Sequence, residues 1–172
     1  SVHDGSRANF SQKKTTGRDL PKADIIGVSV AAFEDGISRG VELTAEEASV
    51  GKDKVIGAAK DGTVILAGLY ADQVAPEYQP KFTEERQRIV IPDASHDLVA
   101  VMDVADDKGR IIDLKTTGRK KSQSEADTSE QLSFYALVYK ALTGELPAEV
   151  RLEVLVEKKS PERQLLSSQR TM

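Results

Sequence analysis

Asp113 and Lys115 stand two residues apart in a short β-branched run, Ile111-Ile112-Asp113-Leu114-Lys115. The two-residue period of a strand puts the acid and the ammonium on one face, roughly 7 Å apart, with Ile112 and Leu114 on the other. The preceding run, Val99 to Ala105, is apolar except for Asp103. Between the runs, Asp107-Lys108-Gly109 suits a three-residue hairpin loop with glycine in the left-handed position. That register sets Asp106 opposite Arg110 and Asp103 opposite Asp113, so both aspartates point to one face beside Lys115. Like charges so placed repel unless a cation lies between them. The same residues also fit a plainer arrangement, a strand-end surface acid at Asp103 and a solvated Asp113–Lys115 pair.

Two further groups can reach such a site. Gln131 and Tyr135 lie four apart in a helical pattern and share a face that can be aimed at the hairpin; a helix tyrosine can equally be core, with its hydroxyl at the rim. Immediately after Lys115, the stretch TTGRKKSQS carries Arg119, Lys120 and Lys121, which can meet phosphates or stand solvated.

Asp103, Asp113 and Lys115 in the order D…D-x-K, followed by the Q-x-x-x-Y of Gln131 to Tyr135 and with IIDLKTTGR as the central strand, resemble the PD-(D/E)XK nuclease superfamily and its RecB-like branch. The resemblance covers Pro80 to Glu157 well and the first half loosely. It implies a deoxyribonuclease that hydrolyses phosphodiester bonds with Mg²⁺ or Mn²⁺, exonuclease-like, in recombination, repair or phage DNA processing. It assigns the metal to Asp103, Asp113 and the Leu114 carbonyl, joined by Glu84 or Glu85 and by His3 of VHDGSRANF. Lys115, Gln131 and Tyr135 would act on the substrate, and DNA and a helicase or recombination protein are the partners it implies. Two departures are Ala100, where the branch commonly has glycine, and aspartate rather than glutamate at Asp113. A nuclease-derived DNA-binding module that cuts nothing is the alternative. An acid/base hydrolase using the aspartate pair leaves Lys115 and the Gln-Tyr helix unexplained.

Several elements must position these groups. Amphipathic spacing predicts helices over 24–34, from the Thr44-x-x-Glu47 capping box to about Lys60, and from Val64 to before Pro76, with a break at Asp61-Gly62. Ser11 to Pro21 reads as polar loop. A strand over 86–91, the hairpin, a helix over 128–143 closed by Gly144 and an apolar strand over 150–156 follow. The fold expected is α/β, a nuclease-like core with a mixed central sheet flanked by helices in the order αβββαβ, plus an N-terminal helical layer. Residues 1–172 read as one domain, with the layer in 1–75 and the sheet core in 80–157.

Bulk properties narrow the setting. The 172 residues contain no cysteine, which excludes disulfides and a cysteine-held iron–sulfur cluster. A formal charge of −4 argues against a uniformly basic binder but permits a local basic groove. With no long apolar run or signal pattern, a cytoplasmic protein without membrane contact is expected. Ser1-Val2-His3 opens without methionine, as a piece of a longer chain would.

Overall fold

The computed structural model describes residues 1–83, 86–89 and 98–171. Four helices come first: α1 (Val2–Thr16), α2 (Lys22–Ser38), α3 (Ala45–Val50) and α4 (Lys52–Gln73). Helix α1 absorbs most of the stretch expected to be loop. Its amphipathic face buries Val2, Phe10 and the stem of Lys13, and it stops only at Gly17, whose φ of 71° closes it. Helix α2 begins after Pro21, so Asp24 lies in its first turn and not at its cap.

The Thr44 capping box forms, with the Thr44 side chain accepting from the Glu47 N–H and the Glu47 carboxylate accepting from the Thr44 N–H. The helix it opens is far shorter than expected. It ends at Gly51, whose φ of 101° favours glycine, and α4 then runs unbroken through Asp61-Gly62. Over Gly62 lies the carboxylate end of the exposed Glu157 side chain, 2.2 Å from where a Cβ would stand, a flexible group free to move aside.

A single 3₁₀ turn, Ala75–Glu77, leads into the strands β1 (Pro80–Thr83), β2 (Arg86–Ile89), β3 (Leu98–Val101), β4 (Val104–Asp106) and β5 (Arg110–Thr117). Helices α5 (Gln123–Asp127) and α6 (Glu130–Thr143) precede β6 (Glu149–Val156) and β7 (Glu162–Ser168). The main sheet has the order β1-β4-β5-β6-β7, antiparallel except for the central β5–β6 pair, which is parallel across the α5–α6 connection. Strands β2 and β3 form a separate two-stranded ribbon. The expected strand over 99–105 is therefore split, with Met102 and Asp103 where the chain changes sheets. Strand β7 went unread in the sequence, because a half-exposed edge strand such as ERQLLSS has no apolar run to mark it.

The sheet is covered on both faces. Ile111, Leu152, Val154 and Val156 pack with Leu132, Tyr135, Ala136 and Tyr139 of α6. Ile112, Leu114 and Leu155 pack on the other face against Phe10, Leu66 and Tyr70 of the helical layer. Helix α6 starts at Glu130, capped by Ser129 and not by Asp127, and Leu142, expected in its packing face, is exposed.

Candidate active site

Hairpin geometry comes first. Val104 pairs with Ile112 and Ala105 with Ile111, the register expected of the three-residue loop, and the pairing stops at Val104, one residue short of Asp103. Asp106, fully buried, locks the turn: its Oδ1 accepts from the N–H groups of Lys108 (3.0 Å) and Arg110 (2.9 Å), and its Oδ2 accepts from Arg110 Nε (2.6 Å). Gly109 takes φ 74° as a three-residue loop requires.

At the other end of the hairpin β4 has already diverged from β5, and the Leu114 N–H would lose its partner. Asp103 Oδ2 takes that hydrogen bond at 2.8 Å. One carboxylate oxygen thus stands in for a strand carbonyl, which fixes the side chain beside Asp113.

Asp113 faces α6, and its side chain is only 2 % exposed. Burial first, then the charge of Asp103, pushes its carboxyl up to about 6, against the pull of Lys115. Lys115 Nζ lies 3.1 Å from Asp113 Oδ2, an ion pair by distance. Oδ2 is held by that charge contact rather than by a hydrogen bond. A buried carboxylate with one cation on it and a second carboxylate beside it also suits a hard divalent cation.

Lys115 also donates to Gln131 Oε1 at 3.1 Å, and Gln131 Nε2 donates to the Tyr135 hydroxyl at 2.9 Å. Asp113, Lys115, Gln131 and Tyr135 therefore form one chain of contacts from β5 to the first turns of α6. Tyr135 is at the same time part of the core, at 7 % exposure.

A recess of about 410 Å³ opens on this chain, lined by Asp113, Lys115, Thr117, Lys121, Glu125, Ser129 and Gln131 among others. Glu125 and Ser129 were missed in the sequence. Their signal was Ser122-x-x-Glu125, a capping box that opens α5, hidden in a stretch read as loop. A larger recess of about 540 Å³ is lined by Lys13, Asp19, Glu77, Asp107 and Lys108, none of them an expected site residue.

The basic stretch divides. Lys121 lines the recess and is held by Glu125 Oε1 at 2.8 Å, while Lys120 turns to Glu162 on β7 at 3.0 Å. The Arg119 side chain is exposed and makes no ion pair among the described residues. His3 is half-buried in the first turn of α1. Among the described residues no three acidic or histidine side chains gather as a metal cluster, so His3 does not complete one with the aspartates. Glu84 and Glu85 lie outside the described residues.

With this geometry in place, comparison with known proteins is informative. The sequence profile of the PD-(D/E)XK nuclease superfamily matches residues 33–169. The chain belongs to that superfamily. No curated protein matches it. Among solved structures, a candidate exonuclease from Eubacterium rectale superposes with a TM-score of 0.53 at 12 % identity, covering 97 % of this chain and 70 % of that one. At that identity the likeness is one of fold.

Proposed function

We propose that the protein is a metal-dependent deoxyribonuclease that hydrolyses DNA phosphodiester bonds, exonuclease-like, in DNA recombination, repair or phage DNA processing. The observation that carries the reading is the buried Asp113 carboxylate, set beside Asp103 and ion-paired through Oδ2 with Lys115. These two aspartates and the Leu114 carbonyl are the groups to hold Mg²⁺ or Mn²⁺, with Glu84 as a further ligand in the same proposal. When bound, such an ion supplies an acidified water and neutralises charge on the phosphate.

The chain's own residues do the rest. Lys115, 39 % exposed at its side chain, presents its ammonium to the recess as a fixed cation for the charge that builds on the phosphate. Gln131 Oε1 accepts a hydrogen bond from one N–H of that ammonium and so orients it. Tyr135 braces Gln131. Lys121 offers the nearest further cation for a DNA phosphate, ahead of Arg119 and Lys120.

The exonuclease description of the Eubacterium rectale protein supports the mode of attack proposed for this chain. The partners proposed are DNA and a helicase or recombination protein. No helix among the described residues is long and apolar enough to cross a membrane. Incubation with linear and circular DNA, with and without Mg²⁺ or Mn²⁺, tests the reading. Cleavage of linear DNA only with metal is expected; metal-independent binding without cleavage would favour the non-cutting module.

A further inference from the structure

Arg170, two residues beyond β7, turns Nε and Nη2 onto the corner between α5 and α6 and Nη1 back to the end of β7. Its Nη2 donates to the Ala126 carbonyl at 2.8 Å and more weakly to that of Ser129 at 3.4 Å. Its Nε donates to Ser133 Oγ at 2.9 Å, and its Nη1 to Ser168 Oγ at 2.7 Å. The Ala126 carbonyl belongs to the last turn of α5, where helix carbonyls lack an intrahelical donor. Ser129 caps α6 through the Leu132 N–H at 3.2 Å, and Ser133 closes its first turn by donating to the Ser129 carbonyl at 2.9 Å. The guanidinium therefore holds both sides of the Asp127-Thr128 corner. Gln131, which contacts Lys115, lies between the two serines it grips.

We propose that Arg170 is a positioning residue for cleavage, fixing the corner so that Gln131 meets Lys115. The proposal rests on the nuclease reading of the site. A lysine at this position cannot reproduce it, because an ammonium lacks the planar fork that reaches three directions at once.

The test compares wild type with Arg170→Ala, Arg170→Lys, Gln131→Ala and the double variant Arg170→Ala/Gln131→Ala, on linear duplex DNA with Mn²⁺. Both single Arg170 variants should lose about 10-fold in kcat, as misplacement of one orienting group does, with KM little changed. In the Gln131→Ala background the Arg170→Ala loss should vanish, since both remove the same contact. Below the unfolding transition, the side-chain amide resonance of Gln131 should shift in both Arg170 variants. Arg170→Lys serves alone if the alanine variant does not fold.

Rescue by lysine would mean that Arg170 acts by charge on DNA and would overturn the proposal. So would an equal loss in the Gln131→Ala background, or unchanged kcat. If the wild type cuts no DNA, the nuclease reading fails separately, and an unmoved Gln131 resonance would then overturn the positioning claim on its own.

Discussion

The Asp113 carboxyl is the least comfortable group near the recess. Its pKa in the folded chain, about 6, lies above the ordinary value of 3.8, so the fold favours its protonated form. As pH rises from about 4 to about 6 the unfolded chain sheds this proton before the native one does, and the metal-free protein loses stability. Above that window the penalty is constant, on the order of 2–3 kcal/mol at most. Asp113→Asn should therefore raise the metal-free unfolding free energy at pH 7.5 and leave it nearly unchanged at pH 4, as urea titrations at the two pH values would show. Lys115→Ala should act in the other direction on the same carboxyl, because the ammonium is the one charge pulling its pKa down. With metal that variant should still bind the ion but cleave about 10²–10³ more slowly, the usual loss of one preorganised cation. Tyr135→Phe should reduce cleavage while keeping cooperative unfolding, since it removes the hydroxyl that braces Gln131 and keeps the buried ring. Full activity in that variant would return Tyr135 to the core alone.

At the scale of elements, the hairpin was the most legible part of the sequence. A glycine-closed three-residue loop fixes the register as far as the Val104–Ile112 pair, and Asp103, just past that ladder, comes beside Asp113 through its bond to the Leu114 N–H. The α6 pairing of Gln131 with Tyr135 was legible for the same reason, a fixed helical period. What escaped reading depended on contacts far along the chain. Asp61-Gly62 looks like a helix breaker, yet α4 runs through it, held by the packing of Leu66, Ala67 and Tyr70 against α1 and the sheet. Likewise Lys120 and Lys121 are neighbours with the same charge, and only β7 and α5 decide where each one points. That division changes the expected effect of the basic stretch on DNA. Lys121→Ala should weaken binding to all sequences alike and reduce the slope of log K against log salt by about one phosphate contact. Lys120→Ala should leave the slope near its wild-type value, because it loses only an exposed pair with Glu162. Equal slopes in wild type and Lys121→Ala would remove that lysine from the binding surface.

Across the whole molecule, a buried polar network ties the helical layer to the sheet that carries the site. Glu153 on β6, fully buried, accepts from Tyr78 and from Arg163, whose guanidinium also reaches Glu77 beside the 3₁₀ turn. Arg151 joins Glu77 to Tyr78 from the next strand position but one. Glu153→Gln leaves Arg163 with Glu77 as its remaining counter-charge and should cost about 1–3 kcal/mol in urea unfolding, the loss of charge-assisted hydrogen bonds. The site on the opposite face of β5 depends on that frame but not on those charges. Its central claim is that Asp103 and Asp113 converge to hold a divalent cation that cleavage requires. The most direct measurement is the shift in unfolding temperature on adding Mn²⁺ or Mg²⁺ to wild type and to Asp113→Asn, alongside cleavage of linear DNA by the same samples. A cation that binds the native state alone should raise the wild-type temperature, with a stabilisation of about 2.7 kcal/mol at a hundredfold excess over Kd. Asp113→Asn should lose both that rise and the cleavage; a wild type that shows no rise, or an Asp113→Asn that keeps it, contradicts the account.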